Sequence, residues 1–324
     1  MIFKFAIQAA AGVSMAFAAA FPATAAEFPD HPVRIVVPAS AGGASDILAR
    51  MIAKKVGDEW KQPLVVDNRP GASGLIGNDV VAKATGDGYT ALVGSTILAQ
   101  APALYPKLAY DVLKDLTPVT IIALSANALV VPADSSAKTL ADFVKLVKAN
   151  PKSYSFASNG NATTSHMQGL QLNKIASLDM VHVPFKGSAP QLQAVLAGEV
   201  NSAIIDLGSS KPQIVAGRVR ALAVTGETRL KSLPNVPTFK ELGFQGFEGV
   251  GWIALMVPSA TPKEIVAKYA QSVRTALQSP EVVAKIEEMG MGPIIISPED
   301  FAKKLRSDIN YWAGIVKEQG IKLD

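Results

Sequence analysis

Two short stretches of this chain gather glycines and hydrogen-bonding side chains where an apolar, strand-like run gives way to a helical pattern. The first is Ser40-Ala41-Gly42-Gly43-Ala44-Ser45-Asp46. Glycines let the backbone approach a ligand closely, and the first N–H groups of the helix that follows have no intrahelical acceptor, so such a corner can receive an anion. The helix dipole contributes only about 0.3–2 kcal/mol, so several aimed donors are needed. Ser40, Gly42, Gly43, Ser45 and Asp46 are the candidates, and Ser45 or Asp46 also fits a simple helix cap.

The second stretch is Ser158-Asn159-Gly160-Asn161-Ala162-Thr163-Thr164-Ser165-His166. It is dense in hydroxyl and amide groups, neutral donors suited to a carboxylate that must stay hydrogen-bonded on leaving water. Ser158, Asn161, Thr163, Thr164, Ser165 and His166 are its candidates; Thr164 or Ser165 also fits an N-cap. Ser95, Ser188 and Asp206 are further candidates at strand ends, where ligands of open α/β sheets collect. Asp206 fits equally a helix cap or a partner for a basic group.

Motifs for enzymatic chemistry are missing. There is no G-x-S-x-G, P-loop or H-E-x-x-H pattern, and Gly71, Gly74 and Gly77 lack dinucleotide-binding spacing. The three histidines, His31, His166 and His182, have no metal-ligand spacing, so neither a metal nor a cofactor is expected. His166 is expected as a hydrogen-bonding wall of a cleft and not as a general base.

The elements that must carry these loops alternate. Strand-like runs at 33–37, 64–66 and 90–94 alternate with helical patterns at 46–56 and 75–84, which predicts a parallel, doubly wound sheet. Apolar runs at 119–124 and 128–131 flank Ser125-Ala126-Asn127, read as a crossing to a second αβ series that extends to about residue 224. The Pro- and Gly-rich segment 233–246 leads to a return strand at 251–257, and helices at 263–277, 280–289 and 298–319 complete the first unit. The expected organisation is a first domain of 27–125 with 247–324 and an inserted domain of 126–246, joined by a two-segment hinge that permits closure.

Residues 1–26 read as a cleaved secretory signal. Lys4 precedes an apolar run at 5–21, shorter than the roughly 20 residues a membrane span needs. Pro22 and Ala23-Thr24-Ala25-Ala26 then supply a cleavage pattern. The chain has no cysteine, hence neither disulfides nor a lipid-anchoring thiol, and export would deliver it to the periplasm. A net charge of +4 without a basic block argues against a nucleic-acid partner and mildly favours small anions.

Beyond these loops, the chain resembles the periplasmic solute receptors of the tripartite tricarboxylate transporter family, the Bug receptors. The likeness rests on Pro32-Val33-Arg34-Ile35-Val36-Val37-Pro38 with Gly42-Gly43 and Asp46, on Val66-Asp67-Asn68-Arg69-Pro70-Gly71-Ala72, and on Asp87-Gly88-Tyr89-Thr90. It continues through His182-Val183-Pro184-Phe185-Lys186-Gly187-Ser188-Ala189-Pro190, Ala216-Gly217-Arg218-Val219-Arg220-Ala221-Leu222-Ala223-Val224-Thr225 and Leu233-Pro234-Asn235-Val236-Pro237-Thr238. The resemblance implies a type II periplasmic-binding-protein fold of two doubly wound αβ domains, with a carboxylate held between the two loops. It also implies delivery to a membrane permease of a large and a small subunit; the receptor itself is expected to be a monomer. Two departures stand out. Ala41 replaces a usual Pro, and Asn159, Ala162 and Thr164 replace the usual Ala, Gly and Pro of the second loop. The expected function is capture of a small organic acid for transport; an extracytoplasmic sensor presenting the acid to a membrane kinase is the alternative.

Overall fold

The computed structural model describes residues 28–161, 163–185, 187–247 and 249–320. The expected signal segment at 1–26 lies outside them, as do Ala162 and Lys186 from the expected loops.

The chain starts with the β-branched run β1 (Val33–Val37), which turns through the glycine loop into α1 (Ala44–Trp60). The helix begins earlier than 46 because Gly43, extended at φ −77° and ψ 168°, serves as its N-cap. It also runs past the expected end at 56, through Gly57. A helical glycine costs about 1 kcal/mol, and burial of Trp60, whose indole N–H donates to Ser272 Oγ at 2.7 Å, offsets it. Leu48, Ile52 and Val56, four residues apart, lie on the buried face of the same helix.

There follow β2 (Leu64–Asn68), a tight turn at Ala72–Gly74, α2 (Leu75–Ala82), β3 (Thr90–Ser95), α3 (Ile97–Leu104), α4 (Val112–Asp115) and β4 (Leu116–Ser125). After Ala126 the chain enters a second sheet through β5 (Asn127–Pro132), α5 (Leu140–Ala149), β6 (Ser155–Ser158), α6 (Thr164–Ile175), β7 (Val181–Pro184), α7 (Ser188–Leu196), β8 (Ser202–Asp206), α8 (Leu207–Val215) and β9 (Val219–Val224). It returns to the first sheet with β10 (Gly251–Pro258), α9 (Lys263–Leu277), α10 (Pro280–Glu288), β11 (Met291–Pro293) and α11 (Pro298–Gln319).

The strand orders are β11-β4-β10-β3-β1-β2 and β7-β6-β8-β5-β9. The expected parallel pairing holds for β1 with β2 and β3 and for β6 with β7 and β8, and both sheets are completed by antiparallel strands. β10 runs antiparallel to both β3 and β4, and β5 runs antiparallel to β8 and β9. The reason is topological: β4 carries the chain out and β10 brings it back, so the two run in opposite directions side by side, Gly251 opposite Ser125 and Pro258 opposite Leu116. The short β11 was not expected; it occupies the edge, where Pro293 is tolerated because no further strand needs its missing N–H.

Helices cover both faces of each sheet and bury four apolar clusters. Met167 of α6 is the exception to this partition. Fully buried, it packs with Leu98, Leu104 and Trp312 of the first lobe. Burying a side chain of that size is worth about 1.5–3 kcal/mol, so α6 is anchored to the lobe opposite its own sheet. Among the described residues, no helix is long and apolar enough to cross a membrane.

Candidate functional site

Between the two sheets lies a cleft of about 1140 Å³. Its first wall is the turn from β1 into α1. Gly42 has φ +80°, a conformation that glycine adopts without a Cβ penalty. Its N–H donates to Asp46 Oδ2 at 2.9 Å. The same carboxylate accepts from Arg50 Nε at 3.0 Å and from Asn68 Nδ2 at 3.0 Å. These bonds, the Arg50 bond foremost, hold the Asp46 carboxyl below the usual carboxylate range. Asp46 therefore braces the loop from behind. Gly43 provides no side-chain cap, and no described residue accepts from the N–H groups of Ala44 and Ser45, both of which line the cleft.

The second wall is the turn from β6 into α6. Thr163 caps the helix, its Oγ1 accepting from the His166 N–H at 3.4 Å and donating to Gly160 O at 2.7 Å. Ser165 Oγ donates to Asn159 Oδ1 at 2.7 Å and accepts from the Asn159 N–H at 3.2 Å. The loop hydroxyls thus rigidify the loop itself. What remains for a ligand is the pair of N–H groups on Thr164 and Ser165, which no described acceptor reaches.

Behind this wall Phe156, His182 and His166 form a ring stack, the two imidazoles 3.8 Å apart and 10° from parallel. Burial pushes both imidazoles down to about 4, and for His182 the neighbouring His166 adds to the effect. Both are neutral at pH 7, which suits neither a cationic anchor nor an efficient general base. Ser158 Oγ lies 3.0 Å from Gly160 O and 2.7 Å from His182 Nε2, its one proton shared between the two. The Ser158 hydroxyl thus ties the turn of the loop to the His182 ring behind it.

The walls meet where Gln100 of α3 donates from Nε2 to Thr164 Oγ1 at 2.7 Å. The floor is made where the strands cross between the sheets. Asn127 and Asp206 lie opposite each other on β5 and β8, and Asp206 Oδ1 caps α8 by accepting from the Ser209 N–H at 2.9 Å. Among the described lining residues there is no Lys or Arg, and Asp206 is the one carboxylate. No described group of His, Asp or Glu has the arrangement of a metal site.

Of the sequence candidates, Gly42, Gly43, Ser45, Ser95, Asn161, Thr163, Thr164, Ser165, His166, Ser188 and Asp206 line this one cleft. Ser40, Asp46 and Ser158 do not. Ser40 is an exposed loop residue whose carbonyl accepts from the Gly43 N–H at 3.3 Å. Asp46 is turned onto Arg50 and Asn68, and Ser158 is fully buried beneath the loop. The sequence reading missed Ser73, Gln100 and Asn127, all of which line the cleft. Ser73 carries the only available sign, its place in the turn-rich stretch after β2; the others sit in apolar or strand-end contexts without a local signal.

Two αβ lobes closing on a cleft lined by helix N-termini are the architecture of a periplasmic binding protein. The sequence profile described as "Tripartite tricarboxylate transporter family receptor" matches residues 48–321. BugT of Bordetella pertussis is 35% identical over 308 residues, covering 94% of each chain. The structure titled R. palustris Rpa4515 with adipate superposes with a TM-score of 0.84 at 33% identity, covering 91% of this chain and 99% of that one. MatC from Rhodopseudomonas palustris, with bound malate, superposes with a TM-score of 0.80 at 32% identity, covering 89% and 100%. The chain belongs to the tripartite tricarboxylate transporter receptor family, a family of periplasmic substrate-binding receptors and not of enzymes.

Proposed function

We propose that this receptor holds a carboxylate of a small organic acid between the N-termini of α1 and α6. The domains that close on it are 27–125 with 247–324, and 126–246, hinged at the two crossings. The acid passes to a membrane permease of a large and a small subunit, the receptor acting as a monomer exported by its N-terminal segment. One observation carries the reading. Ala44 and Ser45 on one wall, and Thr164 and Ser165 on the other, leave N–H groups without described acceptors in a single cleft.

An anion entering there exchanges water for fixed donors, each charged hydrogen bond contributing about 1.5–3 kcal/mol. Because the donors come from both lobes, the ligand binds the closed form better than the open one, which is the requirement for it to drive closure. Adipate with Rpa4515 and malate with MatC support the choice of a carboxylate.

The test is a thermal-shift screen of ligand-free protein against small organic acids, neutral sugars and cationic amines. Binding to the folded state raises the midpoint by mass action. At least one carboxylate is expected to stabilise the protein; stabilisation by sugars or cations alone would refute the reading.

A further inference from the structure

The floor of the cleft has the opposite polarity from its walls. Asn127 Nδ2 donates to Gln168 Oε1 at 2.7 Å, while Gln168 Nε2 faces the Gly249 carbonyl at 3.5 Å. Flipping both amides would set Gln168 Oε1 against that carbonyl, acceptor against acceptor, so the network fixes the orientation. Asn127 therefore presents Oδ1 as an acceptor, and no described donor reaches it. Asp206 sits directly opposite in the β5–β8 register. One of its oxygens caps α8 through the Ser209 N–H, and no described donor reaches Oδ2. Directly paired residues on antiparallel strands project to one face with Cβ atoms about 4.5–5.5 Å apart. Asn127 Oδ1 and Asp206 Oδ2 thus form a pair of acceptors, one of them charged, beside walls made of donors.

Resting on the carboxylate reading above, we infer that the ligand carries a hydrogen-bond donor besides its carboxylate, an ammonium first and a hydroxyl second, and that Asp206 selects for it. A ligand with only a hydrocarbon body leaves the Asp206 carboxylate dehydrated and unpaired, and a second carboxylate placed there meets a like charge with no described Lys or Arg lining the cleft to separate them. An ammonium satisfies both acceptors and the charge at once. A hydroxyl, with one proton to give, satisfies one acceptor and leaves the charge.

Isothermal titration against matched acids tests this. The sets are propionate, lactate and alanine; succinate, malate and aspartate; and butyrate with 4-aminobutyrate, so that the donor is presented at different distances from the carboxylate. In at least one set the amino acid is expected to bind about tenfold or more tightly than the unsubstituted acid, a charge-assisted hydrogen bond's worth, with the hydroxy acid between. Asp206→Asn keeps an effective cap for α8 and is expected to erase most of that advantage. Unsubstituted acids binding as tightly as their amino and hydroxy partners, or a preference that survives D206N, overturns the role of Asp206 and leaves the carboxylate reading standing. If none of the acids binds, the carboxylate reading itself fails, and this inference with it.

Discussion

The side-chain amide of Gln100 donates to the hydroxyl of Thr164 at 2.7 Å, joining a helix of the first lobe to the helix N-terminus that forms the second wall. Gln100 is 1% exposed, so its amide has no ready exchange with water. The bond therefore ties formation of the second wall to its seating on the first.

Thr164→Val removes the acceptor and leaves the Gln100 amide without a partner in a buried place. An unsatisfied buried group costs about 1–3 kcal/mol, which corresponds to ligand binding weakened by about five- to 150-fold. Replacing both partners by apolar groups is far milder than breaking one. The double variant Q100L/T164V is accordingly expected to recover much of the loss. A double-mutant cycle on the dissociation constant measures this; additive effects would show that the two side chains do not act as a unit.

The stacked pair His166 and His182 gives a pH prediction. Both folded values sit at about 4, below the ordinary 6.5. Between those values the unfolded chain binds more protons than the folded one, so folding stability is complete above pH 6.5 and is lost as pH falls toward 4. His166→Phe, which keeps a ring in the stack, is expected to flatten that decline. Unfolding midpoints from pH 7.5 to 4.5 for both proteins check it. Ligand affinity, by contrast, is expected to be level between pH 6 and 8, since neither imidazole titrates there; tightening toward pH 6 would mean that an imidazolium holds the acid.

Asp46 gives a second window at lower pH. Its folded value is depressed below 3.8, so the stability it contributes is present above that value and disappears as pH falls through the folded one. Asp46→Asn removes the acceptor charge for Arg50 and one brace of the Gly42 loop. The variant is expected to be less stable at pH 7, to bind the acid more weakly, and to differ least from the parent near pH 3. Chemical denaturation at pH 3 and pH 7 measures this; a constant difference between the two proteins at both pH values would mean that the charge is irrelevant.

The two corners that build the walls were legible because their signals are local: an apolar run, then small and hydroxylated residues, then helical spacing, all within a few residues of Gly43 and of Thr163. Strand direction was not legible, since β10 reads as the same apolar run whichever way it points, and only its pairing with β4 sets it antiparallel. Side-chain facing was partly legible. The i,i+4 spacing of Asp46 and Arg50 permits the ion pair that turns Asp46 from the cleft, whereas nothing near Ser158 reveals that His182 covers it. Gln100 and Asn127 meet their partners 64 and 41 residues away, and no local pattern encodes such a meeting.

The central claim is that one carboxylate is shared by the N-termini of α1 and α6, and amide NMR reads those groups directly. On titration with an acid that stabilises the protein, the N–H resonances of Ala44, Ser45, Thr164 and Ser165 are predicted to move downfield together, along one binding curve. If the acid binds while the amides of only one wall respond, or while none of the four moves, the clamp across the cleft is contradicted.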